Sequence, residues 1–258
     1  MPRTSRQYHQ EAPTAFAASL LAALLIQWSL LALAPVDRQT WVLENVLLVL
    51  FVGALVVTWP RFRFSAGAYL LIYVFLALHV IGGHYTYSLV PYDRWFEAVT
   101  GSTLSALTGW SRNHYDRLLH LLFGLLLALP AAQMLRHAGV PERLCPRLAV
   151  LLLMACSSLY ELIEWAAALV FGGDLGVHYL GTQGDVWDGQ RDMALAALGA
   201  VLAMLGPMVR LCRMDRPQAR RPLRTRRLVF ESSSSALDTG ARQRAGAHRR
   251  ARRVEYRT

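Results

Sequence analysis

The 258-residue chain is poor in charge and in cysteine, and all 27 of its basic residues are arginine. Only 17% of the residues are charged, whereas 54% are hydrophobic. The three cysteines, Cys145, Cys156 and Cys212, match no zinc-ligand or disulfide spacing and are interpreted as unpaired thiols. The sequence also has no Ser or Cys nucleophile motif, and no Glu-x-x-His pair of the kind that binds iron in ferritin-like bundles. These absences argue against a cysteine-held zinc site, a disulfide scaffold, a covalent hydrolase and a di-iron protein.

The chain is instead rich in long apolar runs. About 20 consecutive apolar residues are needed to cross roughly 30 Å of hydrocarbon. Six runs approach this length, and each predicts one membrane-spanning helix. They cover residues 14–34, 41–59, 66–81, 118–135, 148–171 and 193–211. The sequence therefore predicts an all-α fold, a polytopic transmembrane helix bundle of about six spans.

The first run has a second interpretation, a cleaved secretory signal. Arg3 and Arg6 precede it, and residues 32–34, Ala-Leu-Ala, resemble a signal-peptidase site. The run is longer than the usual core of a signal peptide, and Pro35 stands where the cleaved chain would begin. We therefore favour an uncleaved membrane anchor.

The net charge of +10 is concentrated near one end of the chain, where 15 arginines lie between Arg210 and Arg257. Positive residues accumulate on the cytoplasmic side of a membrane, so topology explains this basicity and we expect no nucleic-acid partner. Arginine also predominates in the N-terminal tail and in the second and fourth connections. The third connection is an exception, with Arg94, Arg112 and Arg117. The overall bias predicts a multi-pass protein with both termini in the cytoplasm.

These patterns divide the chain into three parts. We predict a cytoplasmic N-terminal tail at 1–13, a six-helix transmembrane domain at 14–212 and a cytoplasmic tail at 213–258. The last part is rich in arginine and has few apolar residues, which predicts disorder. Arginine beside a membrane attracts anionic lipids by about 1 kcal/mol per residue. The expected partners are the lipid bilayer and, through this tail, anionic lipids, although a plain topology signal also explains the tail.

Ionisable residues are dense near the ends of four predicted spans. Successive spans alternate in direction. One membrane face is therefore reached by four segments: the end of span three, the start of span four, the outer half of span five and the start of span six. The predicted topology makes this the non-cytoplasmic face. Three of these spans carry two such residues three or four positions apart, on one side of the helix. The cluster comprises His84, His114, Asp116, His120, Glu161, Glu164, Asp185, Asp188 and Asp192.

Glu161 is the most informative member of this cluster. A carboxylate inside an apolar run costs about 2.5 to 3.5 kcal/mol on insertion scales, so such residues are usually functional or paired. Glu161 and Glu164 need a cation if both are buried and charged, either an arginine, a histidine or a metal ion. Mixed carboxylate and imidazole ligands suit Zn, Mn or Fe, although no spacing here is diagnostic of one metal. A structural ion pair is the alternative interpretation.

The sequence therefore suggests two overlapping sets of site residues. The candidate catalytic acids or bases are Glu161, Asp116 and His120. His79, on span three, is instead expected to be a hydrogen-bonded interior residue. The candidate ligands of a divalent metal ion are His84, His114, His120, Glu161, Glu164, Asp188 and Asp192.

Four segments carry a resemblance to a known family. They are Gly-Gly-His-Tyr-Thr-Tyr at 82–87, Asn-His-Tyr-Asp-Arg at 113–117, Tyr-Glu-Leu-Ile-Glu-Trp at 160–165 and Gly-Thr-Gln-Gly-Asp-Val-Trp-Asp at 181–188. Together they resemble the YjdF-like family of bacterial inner membrane proteins, over roughly residues 15 to 210. The resemblance implies a location in the bacterial inner (plasma) membrane and no particular reaction.

A weaker likeness is to the VanZ-like proteins. Residues 116–120, Asp-Arg-Leu-Leu-His, are followed by Glu161 and then by Asp192 and Gly199 in the order that those proteins show. Arg117 stands where they have lysine. This likeness suggests only a cell-envelope context.

Three functions remain open from the sequence. The first is a membrane-embedded enzyme, with or without a metal, that acts on an envelope lipid or precursor. The second is a non-catalytic accessory or assembly protein of the envelope. The third is a proton- or ion-coupled transporter, which is disfavoured because the polar groups crowd one face rather than the midplane.

Overall fold

The computed structural model describes residues 11–173 and 181–214, and within them the only regular elements are helices, apart from one isolated bridge between Glu11 and Ser65. The helices are α1 (Thr14–Leu31), α2 (Arg38–Thr58), α3 (Ala66–His84), α4 (Tyr92–Thr100), α5 (Leu104–Thr108), α6 (Tyr115–His137), α7 (Cys145–Phe171) and α8 (Asp188–Met214). Six of them, α1, α2, α3, α6, α7 and α8, are long and apolar enough to cross a membrane. The predicted all-α, six-span fold is confirmed.

Four of the spans, α2, α6, α7 and α8, begin earlier than hydropathy predicts, and two of these differences concern the polar cluster. α6 begins at Tyr115 rather than 118, and α8 begins at Asp188 rather than 193. The reason is that hydropathy falls where polar residues appear, whereas backbone hydrogen bonding continues through them. The first turns also contain Asp116 and Asp188, and acidic side chains are favoured at helix N-termini. Asp116, Asp188 and Asp192 therefore belong to the helices and not to the loops before them.

The two predicted tails lie mostly outside the described residues. Of the segment 1–13, residues 11–13 are described, and Ala12 donates a backbone hydrogen bond to the Phe64 carbonyl at 3.0 Å. Of the segment 213–258, only the first two residues are described, and they continue α8.

Polar groups that are buried or half-buried tie the first three helices together. The indole N–H of Trp28 on α1 donates to Asn45 Oδ1 on α2 at 2.6 Å, and Gln27 Nε2 on α1 donates to the Ala77 carbonyl on α3 at 3.0 Å. Asn45 also donates to the Trp41 carbonyl at 2.6 Å. These bonds satisfy side chains that would be costly to leave unpaired in hydrocarbon.

The helix pair α6–α8 is in very close contact because small residues line both surfaces. A Cβ atom on Gly124 of α6 would lie 2.6 Å from the Ala200 backbone N, and one on Gly199 of α8 would lie 2.8 Å from the Leu125 backbone N. Ala196 and Ala200 are fully buried between the two helices. Small residues permit this approach in membrane bundles. α6 also packs against α3 and α7, which places it at the centre of the bundle.

Candidate functional site

The site is organised around His120, which is 8% exposed and lies on α6 near its N-terminal end. Its Nε2 atom is 3.6 Å from Asp116 Oδ1, one turn earlier, and 3.5 Å from Glu161 Oε1 on α7. Asp192 approaches from α8, so that ligand atoms of Asp116, His120 and Asp192 all lie within 4.8 Å of one another. We call Asp116, His120, Glu161 and Asp192 the acidic site.

Two oxygen atoms of the acidic site are buried without a hydrogen-bond partner. They are Oδ1 of Asp192, a residue only 2% exposed, and Oε1 of Glu161. Buried polar atoms are paired in the great majority of cases, and a water molecule or a cation is the usual partner where no protein group serves. Gly189 makes room for this arrangement, because a Cβ there would lie 2.7 Å from Glu161 Oε2.

A network of ion pairs lies beside the acidic site. Arg112 binds Asp188 in a bidentate manner, at 2.7 and 3.3 Å, and Arg117 Nη2 lies 3.0 Å from the same carboxylate. Asp185 contacts Arg112, Arg117 and Arg191. The backbone N–H of Trp187, together with Arg117 and Arg191, lowers the pKa of Asp185 below its usual 3.8. Asp188 therefore serves as an arginine partner in this structure.

This network accounts for two of the three exceptional arginines of the third connection. Arg112 and Arg117 are both largely buried, with side-chain exposures of 12% and 15%, and both bind aspartates. Asp185 and Asp188 offset most of the charge of Arg112, Arg117 and Arg191, so these arginines oppose the positive-inside pattern less than their number suggests.

The two remaining predicted histidine ligands lie apart from the acidic site. His84 Nδ1 donates to the Leu31 carbonyl at the end of α1, at 2.8 Å. His114 packs on Trp110 with ring centroids 4.5 Å apart, and burial, followed by the nearby Arg117 and Arg112, lowers its pKa below 6.5. Among the described residues, the set that can converge on one ion is Asp116, His120 and Asp192.

Glu44 on α2 is a buried acid that sequence reasoning missed. It is 4% exposed, and its Oε2 accepts a hydrogen bond from the Tyr160 hydroxyl on α7 at 3.2 Å. Glu164, one turn after Tyr160, also hydrogen-bonds to the Tyr160 side chain. Glu44 lies in an apolar run, as Glu161 does. A carboxylate in such a run is costly to insert into a membrane, and the same argument that selected Glu161 would therefore have selected Glu44.

A cavity of about 450 Å³ extends from the acidic site between α2, α3, α6 and α7. His79 and Tyr87 close one part of its wall: the Tyr87 hydroxyl donates to His79 Nδ1 at 2.5 Å, and His79 Nε2 donates to the Glu44 carbonyl at 3.3 Å. His79 is thus a hydrogen-bonded interior residue, as predicted. The polar residues that line the cavity are His79, Tyr87, Asp116, His120, Ser157 and Tyr160, and the remainder of the lining is apolar apart from the thiol of Cys156.

Six apolar helices and a buried polar site at one end of the bundle define a polytopic integral membrane protein. A family model described as "Predicted membrane protein (DUF2238)" matches residues 16–212, and the chain belongs to this family. The chain is similar to the inner membrane protein YjdF of Escherichia coli strain K12, with 37% identity over 171 residues, which cover 66% of this chain and 78% of that protein. No solved structure matches. The resemblance predicted from the four segments and a multi-pass inner-membrane location are confirmed.

Proposed function

We propose that this protein is a membrane-embedded enzyme that binds a divalent metal ion at the acidic site and hydrolyses an ester bond of an envelope lipid. The observation that carries the proposal is the unpaired Oδ1 of Asp192, buried within 4.8 Å of ligand atoms of Asp116 and His120. An unpaired carboxylate oxygen is costly in such a place, and a cation held jointly with two neighbours would remove that cost.

The distances around His120 support an ion more than direct hydrogen bonds. Its Nε2 lies 3.6 Å from Asp116 Oδ1 and 3.5 Å from Glu161 Oε1. Hydrogen bonds of this kind measure about 2.7 to 3.2 Å. Two ligands each about 2.0 to 2.1 Å from a tetrahedral ion lie about 3.4 Å from each other. The separation of Asp116 and His120 is therefore close to that of two ligands sharing one small ion, for which Zn, Mn or Fe is suitable.

The four residues would divide the chemistry between them. Asp116, His120 and Asp192 supply three ligands, and catalytic metal sites of this type keep a fourth position for water. A bound ion would make that water more acidic. Glu161 accepts the water proton while the water oxygen bonds to the ester carbonyl carbon. The bond from that carbon to the alcohol oxygen then breaks, and Glu161 returns the proton to the departing alcohol.

Replacing Asp192 with Asn is expected to weaken metal binding by at least about 100-fold, the upper end of the loss seen when a group that only supports a ligand is removed. The measurement is titration of the purified protein with Zn²⁺ or Mn²⁺, with elemental analysis of the wild type. Asp93→Asn is the matched control, because Asp93 binds Ser105 away from the acidic site. Equal metal affinity in the Asp192 variant and the wild type would contradict the proposal and favour an accessory role.

We also propose that both termini are cytoplasmic and that the acidic site faces the outer leaflet. Supporting this orientation are the even number of spans, the arginine-rich C-terminal end, and the neutralisation of Arg112 and Arg117 by aspartates. On this topology the loop between α4 and α5 is external and the turn between α2 and α3 is internal.

Cysteine labelling of intact cells tests the orientation. In a background with the native cysteines replaced by serine, Gly101→Cys between α4 and α5 is expected to react with a membrane-impermeant maleimide, and Arg61→Cys between α2 and α3 is not. Both positions are exposed, so both should react after the membrane is permeabilised. The reverse pattern in intact cells would show the opposite orientation.

A further inference from the structure

The cavity beside the acidic site has the length of one membrane leaflet. Asp116 and Leu127 both line it, and they are eleven positions apart on α6. At 1.5 Å per helical residue this separation is about 16 Å. Half of a hydrocarbon core that is about 30 Å thick is about 15 Å. The cavity therefore runs from the polar end of the bundle to about the depth where a lipid chain of one leaflet ends.

The cavity also opens sideways, on the surface that faces lipid. Leu50 on α2 and Leu159 on α7 line it and are nevertheless 62% and 58% exposed. Phe51 and Ile163 line the same opening and are 38% and 37% exposed. At the polar end, the hydrogen bond between Tyr160 and Glu44 joins the two helices. The protein belongs to a membrane family, so this exposed apolar surface faces lipid and the opening is continuous with it. Polar side chains bound the opening at one end.

A second cavity, of about 260 Å³, provides a contrast. It lies between α1, α2 and α3, and no carboxylate or imidazole is among the residues that line it. It could contact lipid as any groove in a membrane protein does, but it leads to no polar site. Of these two cavities, only the larger joins an apolar channel of leaflet length to ionisable groups. A further cavity, of about 550 Å³, lies between α7 and the start of α8 and is lined by Glu161, Glu164, Asp188 and Asp192.

We infer that the larger cavity holds one hydrocarbon chain of a membrane lipid, which enters between α2 and α7 and leaves its ester group at the acidic site. This inference rests on the proposed function and gives it a substrate class, an ester-linked lipid of the leaflet on the side of the acidic site. The apolar walls from α2, α3, α6 and α7 would bind the chain, and the cavity volume lies within the range of about 300 to 1,000 Å³ that is usual for ligand pockets. The ester of a lipid lies at the polar end of its chain, which is the end where His120 and Glu161 meet.

The inference is tested by photo-crosslinking with a phosphatidylglycerol that carries a diazirine at the end of one chain. The full-length protein is placed in nanodiscs containing this lipid, irradiated and mapped by mass spectrometry. We expect crosslinks at the deep part of the larger cavity, on peptides that contain Phe51, Leu127 or Cys156. Crosslinks confined to residues outside this cavity would overturn the inference. This part of the test uses the wild-type protein alone.

A matched pair of α2 variants gives the second arm. Leu47 lines the larger cavity and Leu55 lines the smaller one, and both are half-buried leucines. Leu47→Trp is expected to lower crosslinking in the larger cavity by about tenfold or more, because the indole takes the volume that the chain needs. Leu55→Trp is expected to leave that crosslinking unchanged. Equal yields for the wild type and Leu47→Trp would overturn the inference, provided that thermal unfolding shows the variant to be folded.

The metal content of the same samples separates the two proposals. If Leu47→Trp binds metal as the wild type does but no chain occupies the cavity in either protein, the chain inference fails while the metal site stands. If the chain crosslinks as expected and Asp192→Asn does not reduce metal binding, the cavity binds lipid and the proposed enzyme fails.

Discussion

Glu161→Gln is expected to lower the rate of lipid-ester hydrolysis by about 10² to 10⁴-fold, the usual contribution of a general acid or base. Gln has nearly the shape of Glu and can still fill the space beside Gly189, but it cannot accept the water proton. Because the proposed ligands are Asp116, His120 and Asp192, the variant should retain the metal ion. The measurement is fatty-acid release from envelope lipids in nanodiscs, by mass spectrometry, with metal content determined on the same sample.

The control for this variant is Glu97→Gln, the same chemical change at an exposed glutamate on α4. It is expected to hydrolyse lipid at the wild-type rate. Loss of both metal and hydrolysis in Glu161→Gln would make Glu161 a ligand and would refute its role as the base. An unchanged rate would remove it from the mechanism.

Gly124→Ala is expected to destabilise the protein by about 3 kcal/mol or more, the upper range for inserting atoms into a packed interior. The new Cβ would meet backbone atoms of Ala196 and Ala200 on α8, and backbone atoms cannot turn aside as a side chain can. The helices would have to separate, which would also move Asp192 away from His120. The measurement is thermal unfolding of the purified protein in detergent, together with the affinity for Zn²⁺ or Mn²⁺.

Gly53→Ala is the matched control, because a Cβ at Gly53 on α2 meets no atom within 4 Å. Glycine is disfavoured in a helix by about 0.8 to 1 kcal/mol relative to alanine, so this variant should be neutral or more stable. The two substitutions are therefore expected to shift the melting temperature in opposite directions. A shift of the same sign and size in both variants would refute the close packing of α6 and α8.

Hydropathy was sufficient to find the spans but not their polar beginnings. The run that starts at 193 omits Asp188 and Asp192, although both lie on α8. Helical spacing and alternation of direction correctly suggested that His120, Glu161 and Asp192 reach one end of the bundle. Spacing along the chain carries no information on rotation about each helix axis, however, and rotation directs His84 to α1 instead.

Partners on different helices could not be read from the chain either. Arg112 was visible only as an exception to a charge pattern, and its bidentate contact with Asp188 depends on the path of the connection before α6. Asp116 is predicted from the sequence as a catalytic acid or base, and the structure adds that its carboxylate lies close to ligand atoms of both His120 and Asp192. Which side chains are partners depends on distances of a few ångströms between atoms on different helices. Only the packing of the helices determines these distances.

The glycine contact between α6 and α8 has a consequence for which ions the protein can accept. Two of the proposed ligands are on α6 and one is on α8, and these helices touch through backbone atoms near Gly124 and Gly199. The backbones that carry the ligands cannot move apart unless whole helices move, so any adjustment to an ion has to come from the side chains. Ca²⁺ requires six to eight oxygens at about 2.3 to 2.6 Å, whereas Zn²⁺ is held at about 2.0 to 2.2 Å by fewer ligands. Three ligands on backbones held this close suit the ion that needs fewer ligands.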